Sequence, residues 1–330
     1  MDTAISKLRV LAMLFIVFYH SICYYGVWKF ASGVVYDSIE YWRYASYVVL
    51  NLFVFLSGVL FANIYINRGG YKCIGSFLNE KAKRLFVPYI VWAVPATILF
   101  HTSVLNLFSG CQHLWFLLML GGVMIVSRLL IEKLLRVNIT IFLFIVFILL
   151  FANQLVHKFG ERLIDIFAWK RVLHYLPVFI WAIGLVKFRI IEKMRGLSMG
   201  SLMSGFLISL SIVILFALIP VLPFGLLYKE VPVYVFLLFL YLVVSKCKIL
   251  EHSKILYSMD KHSMGIYILH HLLIWALLGY VPGICDLMNA YIVLSPVLLF
   301  LFVLALSWGL SVWAHKYRYT AMMLGSKWKK

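Results

Sequence analysis

The sequence predicts an all-α fold: a polytopic transmembrane helical bundle of about ten helices with both termini cytoplasmic. Three observations carry this. The 330 residues are 64% hydrophobic, 17% aromatic and only 13% charged, whereas soluble domains run near half apolar and a quarter charged. Apolar runs of the roughly 20 residues that a spanning helix needs recur along the chain with short loops between them. Lys and Arg are heavily biased to alternate connections, as the positive-inside rule requires. The composition excludes a soluble globular enzyme, a disordered chain and a repeat solenoid. Any activity has to sit in the membrane-embedded part, and residues 1–330 read as one integral membrane domain.

The apolar stretches fall at about 8–27, 44–66, 85–101, 114–131, 139–157, 172–187, 200–219, 231–246, 263–280 and 290–313. The stretch at 172–187 is the weakest, because Pro177 and Gly184 interrupt it. With the N-terminus inside, 23 Lys and Arg fall on the cytoplasmic side, from Lys7 and Arg9 to Lys330. Seven fall outside: Lys29, Arg43, Lys158, Arg162, Lys170, Arg171 and Lys229. The net charge of +18 is therefore read as topology rather than as nucleic-acid binding. The N-terminal apolar run has no small-residue cleavage site after it, so it is expected to be a retained helix. Cys23, Cys73, Cys111, Cys247 and Cys285 form no CxxC pair and no metal spacing. Cys111 and Cys285 both fall in expected outer loops, where a disulfide stays open.

None of the twelve carboxylates falls clearly inside a span. Asp37 and Glu40 are placed in the first outer loop, Glu161 and Asp165 in the third, and Asp286 in the last. Proton-coupled carriers usually use intramembrane acids, so their absence argues against such a carrier. It also leaves a buried histidine to be oriented by an amide, a hydroxyl or a backbone carbonyl.

That histidine is His20. In RVLAMLFIVFYH, Arg9 and His20 are eleven residues apart, about three helical turns, and share a face. They are separated by about 16 Å along the axis. Arg9 is then at the cytoplasmic headgroups and His20 deep in the hydrocarbon, where an ionisable side chain is a functional candidate or a polar packing contact.

The Arg-x10-His first helix, the ten spans and the motifs that follow resemble the integral membrane acyltransferase 3 family, bacterial O-acyltransferases that modify cell-surface sugars. The resemblance implies that His20 is the catalytic histidine of acyl transfer from acyl-CoA and that Arg9 is its basic partner. The chemistry agrees. A guanidinium at the inner mouth can hold phosphate, and the thin pantetheine arm can run along the helix towards His20. A neutral imidazole can act there as general base on a hydroxyl or take the acyl group itself.

Four further motifs match the family in order. EKAKRLFVPY corresponds to its Arg-x-x-Arg and proline, with Lys81 in the first position, Arg84 kept and Pro88 following. Lys81 and Arg84 share a face and are read as phosphate contacts for CoA or as topology-setting charge. NLFVFLSGVL resembles D-x-F-F-x-x-S-G-F. Ser57 and Gly58 match, and Ser-Gly points to close helix packing. Asn51 replaces the acid, where it can hydrogen-bond and orient His20 but not relay a proton. QHLWFLLML resembles H-L-W-F-L, which makes His113 and Trp115 either a sugar-facing platform at the outer interface or part of the aromatic belt. HSMGIYILHH is similar to S-x-x-I-Y-L-x-H. Ser263, Tyr267 and His270 share a face there, and His270 is expected at the depth of His20, bordering the same cavity. His271 points away and receives no role. No spacing among His101, His113, His157 and His174 supports zinc, so no metal is expected.

The resulting expectation is a multi-pass O-acetyltransferase of the bacterial inner membrane. It takes acetyl from acetyl-CoA, the acyl donor, to a hydroxyl of a polysaccharide or lipid-linked glycan. Acyl-CoA, the glycan acceptor and the lipid bilayer are its partners, nucleic acid is not, and a homo-oligomer stays open. The other reading is a flippase, exporter or polymerase of lipid-linked sugars.

Overall fold

The computed structural model describes residues 3–26, 39–160, 163–218, 225–291 and 294–326. Lys29, Asp37, Glu161 and Arg162, read above as outer-loop residues, lie outside them, as do Lys327, Lys329 and Lys330. Among the described residues the secondary structure is helical, without strands. The main helices are α1 Thr3–Gly26, α2 Ile39–Ala62, α3 Ile74–Lys81, α4 Val87–Leu99, α5 Asn106–Ser109, α6 Trp115–Arg136 and α7 Ile139–Phe159. They are followed by α8 Trp169–Lys187, α9 Ile190–Arg195, α10 Met199–Leu218, α11 Gly225–Lys246, α12 Lys254–Tyr280, α13 Ile284–Ala290, α14 Ser295–Ala314 and α15 Arg318–Met323. Nine candidate membrane spans are found among the described residues. The expected stretch at 231–246 is helical too, within α11, but is not one of those nine.

The chain divides into two compact units. The first comprises Met1–Leu8, Leu50–Lys81 and Leu118–His252, and the second Arg9–Val49, Ala82–Leu117 and Ser253–Lys330. In the first unit α8, the weakest span by sequence, proves buried from Tyr175 to Leu185 except at Trp181. One of the two residues that weakened it, Gly184, accounts for its close packing. A Cβ on Gly184 would meet the Phe142 ring at 2.4 Å, so only glycine admits α7 at that distance. Pro177 stays inside the helix, which continues through it. Gly58 does the same for α2: a Cβ there would meet Ala182 Cβ at 2.8 Å and the Phe179 carbonyl oxygen at 2.9 Å. Gly58 therefore serves close helix packing. Asn138 caps α7 by accepting from the Ile141 N–H at 2.9 Å. Basic residues read as topological also hold backbone carbonyls at a helix end and in a connecting turn. Lys187 donates to the Leu134 carbonyl at 2.7 Å in the last turn of α6. Arg128 donates to the Tyr71 carbonyl at 2.7 Å and to that of Lys72.

The second unit is organised on α12, 27 residues long and so about 40 Å at 1.5 Å per residue. Ser253 caps it by accepting from the Leu256 N–H at 3.2 Å. Gly265 lets α14 close on it, since a Cβ there would meet Ser311 Oγ at 2.1 Å. Gly325 stands at φ +71°, where glycine is favoured, and its Cα turns a would-be Cβ onto the Arg84 carbonyl at 2.6 Å. The five cysteines are free, so Cys111 and Cys285 form no disulfide. Cys111 is buried beside the Thr97 hydroxyl at 3.5 Å, and Cys285 donates to the Leu278 carbonyl at 3.4 Å.

The expectation that no carboxylate lies clearly inside a span is corrected at Asp260, and a second acid, Glu230, is buried in a long helix. Glu230 lies within α11 and is 1% exposed. Asp260 lies within α12, a candidate span, and is buried. Both escaped notice because each sits near the end of an apolar run, where a length-based boundary assigns it to a loop.

Candidate functional site

The second unit brings α1 and α12 together by two polar rungs. At the first, Arg9 holds Asp260 through a two-pronged ion pair, Nε to Oδ1 at 2.6 Å and Nη2 to Oδ2 at 3.1 Å. At the second, His20 Nδ1 meets His270 Nε2 at 2.8 Å. The rungs are eleven residues apart on α1 and ten on α12, about 15–16 Å on either helix. The residue numbers ascend together, so the two helices run parallel. The Arg-x10-His spacing is thus matched by an Asp-x9-His spacing that the sequence reading did not use. The matching intervals were the signal that could have found Asp260.

The second rung is part of a histidine quartet. The His20 ring lies 5.0 Å from His270 and 4.7 Å from His271, and the His113 ring lies 5.5 Å from His270 and 4.4 Å from His271, centroid to centroid. His113, His270 and His271 are buried and His20 is half-buried. The expectation that His271 points away from the group is corrected here, as to its position. Its ring diverges from that of His270 on the helix, but α1 and His113 meet both. A 100° step between neighbours was enough to separate them on a wheel and too little to separate them in space. His113, read as part of an outer platform, reaches the α12 histidines because Cys111–Leu114 is not yet regular helix: the chain turns at Gln112, at φ +42°, before α6 begins. Trp115 opens α6 half-buried, edge-on to Phe116 at 5.9 Å.

Hydrogen-bond direction assigns the protons of three of the four rings. A carbonyl oxygen only accepts, so a ring nitrogen bonded to one carries the hydrogen. His270 Nδ1 lies 3.1 Å from the Ile266 carbonyl and is therefore the N–H. Neutral His270 then offers Nε2 as an acceptor, and His20 Nδ1 must donate to it. The lone pair of His20 is left on Nε2, which has no hydrogen bond among the described residues. His113 Nε2 lies 3.0 Å from the Ile268 carbonyl and is the N–H, which leaves the lone pair on Nδ1. That nitrogen is buried without a hydrogen-bond partner among the described residues. Burying such an acceptor unpaired costs about 1–3 kcal/mol. Tyr267 holds the same segment by donating its hydroxyl to the His113 carbonyl. Ser263 turns back on its own helix and donates to the Asp260 carbonyl at 2.9 Å. The expected orienter of His20, an amide, hydroxyl or carbonyl, is replaced within this unit by an imidazole.

The remaining sequence candidates are placed as follows. Arg84 is exposed in the second unit, in the turn Ala82–Phe86 ahead of α4. Lys81 is buried in the first unit, 3.1 Å from the Tyr71 hydroxyl and 4.5 Å from the centre of its ring, with Glu80 at 3.9 Å. Asn51 is buried and Ser57 half-buried, both on the first unit's part of α2. Among the described residues no group of three or more His, Cys, Asp or Glu side chains is arranged to hold a metal ion.

The first unit has a polar cluster of its own. Glu230 Oε1 accepts from Asn153 Nδ2 at 3.1 Å, and Oε2 accepts from the Tyr234 hydroxyl at 2.9 Å. His174 Nδ1 lies 3.0 Å from Asn153 Nδ2 and 3.6 Å from Glu230 Oε1.

Comparison with known proteins settles the family. A family model described as an acyltransferase domain, of the acyltransferase 3 type, matches residues 2–316. No curated protein and no solved structure gives a match. The match spans essentially the whole chain and both helices that carry the histidine rung, so this chain belongs to the acyltransferase 3 family and is a multi-pass membrane acyltransferase.

Proposed function

We propose that the chain is an O-acetyltransferase of a bacterial cytoplasmic membrane. It moves acetyl from cytoplasmic acetyl-CoA to a hydroxyl of a cell-surface polysaccharide or lipid-linked glycan, with His20 at the reacting centre. The observation that carries the reading is the direction of the His270–His20 hydrogen bond. It presents His20 with a lone pair on Nε2, the form in which an imidazole works as a base or a nucleophile. Arg9 lies three helical turns below, towards the expected cytoplasmic side, where the phosphates of CoA would arrive. Two of its five N–H donors serve Asp260, and the guanidinium keeps three for an incoming phosphate. Arg84 is exposed and supplies a second cation. Lys81 would have to leave Tyr71 to join them.

The test is transfer from radiolabelled acetyl-CoA in membranes that contain the cell's own glycan, with wild type and His20→Ala present at equal folded amounts. General acid–base catalysis contributes about 10²–10⁴-fold, so His20→Ala is expected to lose at least ~100-fold of the transfer. Equal transfer by the two proteins would remove His20 from the mechanism. No transfer by either would refute acetyl-CoA as donor or the membrane glycan as acceptor.

A further inference from the structure

Two lone pairs in the quartet face no hydrogen-bond donor among the described residues, that of His20 Nε2 and that of His113 Nδ1, and they are not equivalent. His20 Nδ1–H is bonded to an imidazole nitrogen, which can take the proton. His113 Nε2–H is bonded to the Ile268 carbonyl, which cannot. A histidine that carries an acyl group on one nitrogen is a reactive cation unless the other nitrogen sheds its proton. His20 can shed it to His270, and His113 has nowhere to send it. A histidine that takes a proton becomes an imidazolium, which a carbonyl oxygen on the opposite nitrogen stabilises. His113 has that arrangement, and its backbone is held by Tyr267 as well. Of the two reactants, the thioester carbonyl has no proton to donate, whereas the acceptor hydroxyl has one, and the buried Nδ1 of His113 lacks a donor.

We propose that His113 is a second catalytic residue: its Nδ1 binds and deprotonates the acceptor's hydroxyl, while His20 Nε2 carries the acyl group between the two substrates. The proposal rests on the acyl-transfer reading above and deepens it by dividing the chemistry between two histidines. In the first half, His20 Nε2 attacks the thioester carbon, the C–S bond breaks and CoA leaves as the thiolate. His20 Nδ1 passes its proton to His270 Nε2, which leaves a neutral acyl-imidazole. In the second half, His113 Nδ1 takes the hydroxyl proton and the oxygen attacks the acyl carbon. The C–N bond to His20 breaks, its electron pair stays on Nε2, and Nδ1 takes its proton back from His270. The proton on His113 leaves to solvent and balances the one the CoA thiolate takes up, so the sum is a hydroxyl and a thioester giving an ester and a thiol.

The two halves can be measured apart in the full-length protein in lipid nanodiscs. Exchange of labelled CoA into acetyl-CoA, with no acceptor present, reads the first half. Label transfer from acetyl-CoA to the cell's membrane glycan fraction reads both. His113→Gln keeps an amide N–H to reach the Ile268 carbonyl and deletes the base. It is expected to keep exchange within ~3-fold of wild type and to lose at least ~100-fold of transfer, whereas His20→Ala loses both. Transfer preserved in His113→Gln overturns the proposal. So does a parallel loss of exchange and transfer in a variant that melts like wild type. Should His113→Gln melt early, His113→Asn is read in the same assays against the same outcomes. Wild-type transfer without exchange refutes the acyl-histidine, and with it the division of labour, while leaving the acyltransferase reading intact. Transfer that survives His20→Ala removes His20 from the mechanism and overturns the proposal with it.

Discussion

The two units each bury a small polar cluster in apolar surroundings, and the clusters differ in how they close. In the first unit Glu230 takes Asn153 on one oxygen and Tyr234 on the other, with His174 behind them. The donors and the acceptor satisfy one another, which is what a structural network needs. In the second unit His20, His270 and the Ile266 carbonyl form a chain with one end open. A carboxylate offers two oxygens, so a cluster built on one can be saturated from several sides. An imidazole is a donor on one nitrogen and an acceptor on the other. A line of them anchored on a carbonyl transmits a direction and ends on a lone pair. The difference separates a network that holds helices together from one that presents a base.

The largest effect that would break this comparison is expected at His270, which sets the direction and takes the His20 proton. His270→Leu removes the acceptor of the His20 N–H and should lower acetyl transfer by ~100-fold. His270→Gln can place an oxygen near the former Nε2, which accepts the hydrogen bond but cannot take the proton, so it should recover only part of that loss. Transfer unchanged in both variants would assign His270 to packing. The next effect sharpens the lower rung. Arg9→Lys keeps the charge but loses the two-pronged geometry. It should raise KM for acetyl-CoA by ~10-fold, about 1.4 kcal/mol, with kcat within ~3-fold. A fall in melting temperature with KM unchanged would make the Arg9–Asp260 pair structural alone.

The smallest effect on catalysis belongs to the closed cluster. Glu230→Ala removes the carboxylate that accepts from both Asn153 and Tyr234. A buried donor that loses its acceptor costs about 1–3 kcal/mol, so a lower melting temperature is expected, with transfer per folded molecule unchanged. Glu230→Gln keeps an acceptor and should melt between the two. A change in kcat with Glu230→Gln at wild-type melting would show that the first unit's cluster takes part in the reaction after all.

The membrane architecture was legible in the chain, because a spanning helix is a property of about twenty consecutive residues and needs no partner. So was the place of His20 within a long apolar helix, where a titratable group is costly. The close approach at Gly58 was readable for a related reason: a missing side chain is visible in the sequence even when the surface it admits is not. Residues whose meaning depends on another helix were not legible. Asp260 looked like a loop acid until Arg9 met it. His271 looked averted until His113 and His20 closed around it. Pro177 and Gly184 looked like interruptions until Phe142 filled the space that Gly184 leaves. The sequence by itself determined that apolar helices long enough to cross a membrane recur along the chain and that His20 lies in one of them, since both follow from transfer free energies summed along one segment. Only the tertiary structure decided which nitrogen of His20 and of His113 carries its proton, because each tautomer is set by a group on another helix, the His270 ring for one and the Ile268 carbonyl for the other.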